Sequence, residues 1–415
     1  MKKKAVTLLL TGMMILSVLS GCGNSQQTAA EGGQQENPVQ TVSANVTPEV
    51  ESAADTKTEE TENTVPKYIF LFIGDGMSYP QIQLTNYYLN AAAGNESVTV
   101  DGEKKTVLKS GNSLNMMNLE VTGSAQTYDS TSFAPDSAST ATSIATGHKT
   151  WSGSINVSED FSQEYETIAE KLKAQKGYKI GILSSVNLNH ATPAAFSDTL
   201  ALDDAVAKAV EFYEKHPDET LILVTGDHET GGLTIGYAGT DYDTFLTNFD
   251  NQKISYAKFD SDYVTAYKEN RTDFETVMKD VTELFGLTAP ADENAEKTEQ
   301  KDSADLHPES EDTGALEMTA YEYGLLKAAY DETMSRTGEE SEFSQEEYIL
   351  YGSYEPLTVT ITHILNNKSG INFGSYAHTG LPVEVLVSGV GAEKFEGYYD
   401  NTQIYEKLAE LTGVE

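Results

Sequence analysis

The stretch "KYIFLFIGDGM", residues 67–77, decides how this chain is to be read. An unbroken apolar run from Tyr68 to Ile73 predicts a buried strand, and Gly74-Asp75-Gly76 stops it abruptly. Working outward, "TIAEKLKAQKGYKIGILSSV" (167–186) reads as a helix, a glycine turn and a second buried strand. "LDDAVAKAVEFYEKHPDETLILVTGDHETGG" (202–232) repeats that scheme and again halts at Gly-Asp. "LPVEVLVSGVG" (381–391) predicts a fourth strand, and "NTQIYEKLAELTG" (401–413) a closing helix. Strands alternating with amphipathic helices predict an α/β fold with a mostly parallel central sheet flanked by helices. Ligands of such sheets gather beyond the carboxyl ends of the strands, which is where Asp75, Asp227 and His228 are expected.

Residues 240–370 are less regular, with Tyr-rich stretches and the acidic run "APADENAEKTEQKDSADLHPESEDTG" (289–314), and are expected to form a small irregular lobe inserted before the last strand. The N-terminus carries Lys2, Lys3 and Lys4, the apolar run 5–19, and then Leu19-Ser20-Gly21-Cys22. That order predicts a lipoprotein signal peptide over 1–22, with Cys22, the chain's single cysteine, as the lipidated residue. The polar stretch 23–66 has too little apolar surface to fold and is expected to be a disordered tether, with the folded domain at 67–415. The expected location is extracytoplasmic, lipid-anchored to a bacterial cell membrane. A formal charge of −38, from 65 acids against 27 bases, argues against nucleic acid as a partner. It also disfavours an anionic substrate unless bound cations reverse the field locally.

The chemistry concentrates in a few places. Asp75 closes one strand, and Asp227 with His228 closes another; carboxylate and imidazole at strand ends are hard and borderline metal ligands on a rigid platform. A turn-capping role is the plain alternative for a lone Asp. His378, in "SYAHTGLPV", stands just before a predicted core strand. His190 and Thr192, in "NLNHATPAAF", follow the predicted strand "IGILSSV" at 180–186. His148, His216, His307 and His363 have no such setting and read as structural or surface residues. In "APDSASTATSIATG" (134–147), Ser137 heads a predicted helix of small residues that ends near Gly147. It reads either as part of an N-cap or as a nucleophile at a positive helix end, where a metal activates the hydroxyl.

"FIGDGM", "PDSASTATSIATGHKTWSG", "NHATPAA", "VTGDHETGG" and "AHTGLPV", in this order, resemble the alkaline phosphatase family from about Lys67 to the C-terminus. The resemblance implies hydrolysis of phosphate monoesters through a phosphoserine at Ser137. It implies one Zn2+ held by Asp75, Ser137, Asp227 and His228, a second Zn2+ that includes His378, and Mg2+ faced by Asp75, Thr192 and His190. A homodimer is also compatible with it. The chain departs from the family where "HATPAAFSD" runs directly into "TLALDDAV", from Asp198 to Thr199. The family places there a segment with a phosphate-gripping arginine and a "VEG…D…H" motif, and this chain has neither. The alternative function is a catalytically inactive surface lipoprotein that keeps one metal site as a binding module.

Overall fold

A computed structural model describes residues 65–94, 96–100, 102–108, 111–183, 197–240, 243–291, 316–336 and 343–415. The predicted signal peptide, Cys22 and nearly all of the tether lie outside the described residues, as does most of the acidic run at 289–314. No helix among the described residues is long and apolar enough to cross a membrane.

The apolar run after Lys67 forms β1 (Tyr68–Gly74). It leads through the Gly-Asp-Gly turn into α1 (Tyr79–Ala92), where Pro80 suits the first helical turn. A hairpin of β2 (Glu96–Val100) and β3 (Glu103–Val107) follows, then β4 (Val121–Gln126). The small-residue stretch is α2 (Ser137–Thr146), closed by Gly147 in the left-handed region at φ 76°, as its sequence predicts. Next come α3 (Ile168–Lys176), α4 (Ser197–Tyr213) and β5 (Thr220–Gly226). Two short strands, β6 (Glu229–Thr230) and β7 (Leu233–Ile235), continue the chain.

The lobe expected to be irregular is helical in its described part. It comprises α5 (Tyr256–Phe259), a π-helical turn at Asp260–Val264, α6 (Thr265–Asn270), α7 (Phe274–Phe285), α8 (Ala320–Ser335), α9 (Gln345–Tyr351) and α10 (Pro356–Lys368). These helices close on an apolar core of their own, with Phe259, Val277, Phe285, Leu326 and Leu365 fully buried. Capping residues such as Asp273, Thr319 and Ser344 set the helix starts, a signal that the tyrosine-rich texture masks. The chain returns through β8 (Ile371–Phe373), β9 (His378–Thr379) and β10 (Val383–Gly389), and ends in β11 (Gly397–Asp400) and α11 (Thr402–Thr412).

The central sheet has the order β1-β5-β10-β4-β11. β1 and β5 are parallel, as are β4 and β11, while β10 runs antiparallel to both β5 and β4. The sheet is therefore mostly parallel in direction, with one reversed strand at its centre. On one face Leu221, Leu223, Val385 and Val387 pack against Ile144, Ile168, Ile404 and Leu408 from α2, α3 and α11. On the other, Ile222, Val224 and Leu386 pack against Ile82, Val206 and Ala209 from α1 and α4. Alternate residues of β5 thus feed opposite layers, which is why a strand covered on both faces reads as an unbroken apolar run.

Three expectations are corrected. β1 is only half-buried, because it is the edge of the described sheet. The strand expected over 180–186 is not formed in its described part: residues 180–183 are irregular, with Ile182 78% and Leu183 97% exposed. A strand needs a neighbouring ladder, and among the described residues none runs beside this segment. The strand at 383–389 is not the last, since β11 follows and pairs with β4; four residues with glycine at their head give too weak a pattern to read.

Candidate metal centre and nucleophile

Parallel pairing sets Gly74 opposite Gly226, so the residues that follow, Asp75 and Asp227, emerge side by side at the carboxyl end of the sheet. The turn after β1 crosses so close to β5 that a methyl group on Gly226 would lie 1.7 Å from the Met77 carbonyl oxygen. Only glycine permits that approach. Asp227 Oδ1 accepts hydrogen bonds from the backbone N–H groups of Gly76 (2.9 Å) and His228 (2.8 Å), fixing the carboxylate between the two strand ends.

His228 is fully buried. Its Nδ1 lies 3.2 Å from the Glu229 carbonyl oxygen, which can only accept, so Nδ1 carries the proton. The lone pair is then on Nε2, which stands 2.8 Å from Ser137 Oγ, 3.3 Å from Asp227 Oδ2 and 3.6 Å from Asp75 Oδ1. Ser137 Oγ is 3.3 Å from each oxygen of Asp75. Ser137 itself opens α2, held there by Asp136, whose side chain caps the helix at Ser139 N and accepts a second bond from Gly153 N.

Ligand atoms of Asp75, Asp227 and His228 all lie within 4.8 Å of one another, and no other such group of three occurs among the described residues. Burial pushes the Asp227 carboxyl up to about 6. Burial, followed by the charge of Asp227, also raises Asp75. Burial holds the His228 imidazole down to about 4, with the neighbouring His378 acting in the same direction. Two carboxylates forced together with a neutral imidazole and a hydroxyl are costly when left alone; a divalent cation removes that cost. The donor set, two oxygens and a nitrogen with its other ring N–H tied to a carbonyl, fits zinc.

His378 also reaches the site, and the reversed direction of β10 explains how. An antiparallel β10 begins at the edge where β1 and β5 end, so the residues just before it arrive beside Asp227. β9 pairs with β6, setting His378 opposite Thr230 and Thr379 opposite Glu229. The His378 ring stacks on His228 with centroids 3.6 Å apart, and its Nδ1 donates to the Pro135 carbonyl oxygen at 2.7 Å. His190 and Thr192 lie outside the described residues. Asp203, beside the junction, faces away: it is buried and accepts from Asn115 N, Asn115 Nδ2 and Met116 N. His148, His216 and His363 stack on Tyr165, Phe212 and Tyr376, as structural residues would; His307 lies outside the described residues.

Glu229 escapes a sequence reading focused on strand ends. Fully buried, it accepts from Gln81 Nε2 (2.7 Å), Gly232 N (3.0 Å), Leu233 N (3.0 Å) and the Thr379 hydroxyl. It thereby binds α1, the turn before β7 and β9 together around the two histidines. The signal was its place inside "GDHETGG", a polar run with no packing purpose.

The alkaline phosphatase family model matches residues 66–200 and 195–414, two stretches that overlap where the chain enters α4. Among curated proteins, the chain is similar to an alkaline phosphatase of Schizosaccharomyces pombe, 27% identical over 135 residues, or 32% of this chain and 22% of that protein. It is also similar to a streptomycin-6-phosphate phosphatase of Streptomyces griseus, 30% identical over 150 residues, or 35% of this chain and 29% of that protein. The chain thus spans less than a third of the length of these relatives. In fold it is similar to a cold-active alkaline phosphatase from the psychrophile Shewanella sp., with TM-score 0.56 and 18% identity over 83% of this chain and 99% of that one. The Thermus thermophilus alkaline phosphatase gives TM-score 0.56 and 13% identity over 88% of this chain and 96% of that one. With the family model matched across nearly the whole folded part and the same fold in both solved structures, the chain belongs to the alkaline phosphatase family.

Proposed function

We propose that the protein hydrolyses phosphate monoesters through a phosphoserine at Ser137. The observation that carries this reading is the approach of Ser137 Oγ to His228 Nε2 (2.8 Å) and to both oxygens of Asp75 (3.3 Å) at the start of α2. In the first step Ser137 Oγ bonds to phosphorus and the ester P–O bond breaks, the alcohol leaving with a proton. Water then cleaves the phosphoserine to give inorganic phosphate and the free hydroxyl. The N-terminus of α2, with its positive dipole end, favours the phosphate oxygens. Asp75, Asp227 and His228 with Ser137 would hold Zn2+, His378 would belong to a second Zn2+, and Asp75 with His190 and Thr192 would face Mg2+. Such ions, when bound, lower the pKa of the serine hydroxyl and neutralise charge on the phosphate. The same reading places the domain outside the cell membrane, on a lipid anchor at Cys22.

A second reading, a surface protein that binds metal without turnover, is favoured by the arginines. The chain has only Arg271 and Arg336; Arg271 closes α6, and Arg336 pairs with Glu332 at 3.0 Å in the same lobe. Neither serves the nucleophile.

The test is hydrolysis of a chromogenic phosphate monoester at alkaline pH with added zinc and magnesium, with Ser137→Ala beside the parent. A rate that the substitution lowers by about a thousandfold or more supports the enzyme. Equal rates in two folded proteins, with zinc still bound by the parent, support the binding module instead.

A further inference from the structure

Four loops meet around the Ser137 end of α2, and each presents an exposed apolar side chain. The loop before the helix carries Phe133, 86% exposed. The loop after the helix carries Trp151, 49% exposed, whose neighbours Ser152 and Gly153 bond to Thr131 Oγ1 (3.1 Å) and Asp136 Oδ2 (2.8 Å). A third loop carries Phe161, 62% exposed, with its ring centroid 6.5 Å from that of Trp151; Glu159 in the same loop accepts from Ser130. The fourth holds Leu381, exposed three residues after His378. Its Gly380 lies against Phe133, where a methyl group would come within 2.5 Å of the Phe133 carbonyl oxygen.

Phe161 adds a second kind of observation. Its φ is 58°, in the left-handed region that a bulky aromatic residue rarely adopts. The hairpin tip would be better served by glycine or asparagine, yet it presents an aromatic ring to solvent beside Trp151. Strain of this sort persists where the side chain has a use.

Resting on the phosphatase reading above, we infer that Phe133, Trp151, Phe161 and Leu381 form a collar that receives the organic group of the substrate, and that this group is uncharged and apolar, an alkyl or aryl alcohol. In-line displacement sets the leaving oxygen opposite Ser137 Oγ. Asp75 and His228 already contact Ser137 Oγ, so the alcohol is taken to leave away from them, toward the four loops. Charge selects in the same direction. With a net charge of −38 and no arginine at the site, a second anionic group on the substrate would be repelled.

Trp151 is the only tryptophan in the chain, so intrinsic fluorescence reports the collar without requiring turnover. The full-length protein, loaded with zinc, is titrated with ethylphosphonate and hexylphosphonate. These differ by four methylenes, each worth about fourfold when fully removed from water, so half-burial predicts a preference on the order of tenfold for the hexyl compound. Its binding should shift Trp151 emission to the blue. In Phe133→Ser/Phe161→Gly the preference should fall to within about twofold; glycine suits the backbone at 161, so the loop keeps its shape. Tyr348→Ser, at an exposed position of α9 outside the four loops, should leave the preference as it was.

Equal affinities for the two phosphonates, or a preference that survives the double substitution, would overturn the collar. So would emission that shifts with protein concentration but not with hexylphosphonate, which would mean that a second copy covers the patch. Hydrolysis of ethyl and hexyl phosphate separates the two levels of the argument, because the two alcohols are equally basic. If ethyl phosphate is hydrolysed without any alkyl preference, the collar fails and the phosphatase reading stands. If neither ester is hydrolysed but hexylphosphonate still binds preferentially, the collar stands and the phosphatase reading fails.

Discussion

The imidazole of His378 lies flat on that of His228, with centroids 3.6 Å apart and planes inclined by 18°. The two residues are separated by the whole helical lobe in sequence, and each ring has its Nδ1 turned to a backbone carbonyl, of Pro135 and Glu229 respectively. Both rings are thus oriented before any ligand arrives. The elements that hold them, β6 and β9, are only two residues long and depend on side-chain support.

Glu229 supplies much of that support. Glu229→Ala would leave the backbone N–H groups of Gly232 and Leu233 and the Thr379 hydroxyl without this acceptor, while Gln81 Nε2 keeps only the Thr230 carbonyl oxygen. Each such group costs about 1–3 kcal/mol, so a loss of about 3 kcal/mol or more is expected in urea unfolding. Zinc affinity, read by competition with a chromogenic chelator, should fall by about tenfold or more as the histidines loosen.

Asp227→Asn should reveal the strain of the metal-free site. The amide oxygen of the variant can still accept from the backbone N–H groups of Gly76 and His228, so the fold is kept. The Asp227 carboxyl is raised to about 6 from an ordinary value near 4, so the native state holds its proton more tightly than the unfolded chain does. Stability therefore falls as pH rises through that window. In chelator-treated protein the variant should gain on the parent between about pH 4 and pH 6, by an amount on the order of 2–3 kcal/mol, measured as the difference in urea stability. A difference that stays constant with pH would show that Asp227 ionises normally.

The same substitution should lose the response to zinc. Zinc at one hundred times its dissociation constant should stabilise the parent by about 2.7 kcal/mol and raise its thermal midpoint. Asp227→Asn and His228→Ala should show little or none of that rise.

Gly226→Ala tests how the strand ends are brought together. The added methyl would meet the Met77 carbonyl oxygen at 1.7 Å, so the turn carrying Asp75 must move. A destabilisation above about 2 kcal/mol is expected, together with weakened zinc binding. An unchanged melting curve would mean that the turn yields without cost.

Much was legible in the sequence because it depends on neighbours a few residues away. The apolar runs ending in Gly-Asp at 74–75 and 226–227, the helix from Ser137 to Gly147, and the adjacent ligands Asp227 and His228 are local patterns of this kind. Parallel pairing of two such runs then sets Asp75 beside Asp227 without further information. Three matters were decided only by the tertiary structure. The direction of β10, which delivers His378 to the site, depends on which neighbours it finds in the sheet, and an apolar run reads the same in either direction. Residues 180–183 have the composition of a buried strand yet lie exposed and irregular, because hydrogen bonding to a neighbouring strand is a property of the assembled sheet. Glu229 is a polar residue like many others until the packing of α1, β7 and β9 around it buries it with four donors. Residue type and spacing determine what a segment can bond to; only the close packing of distant segments decides what it does bond to.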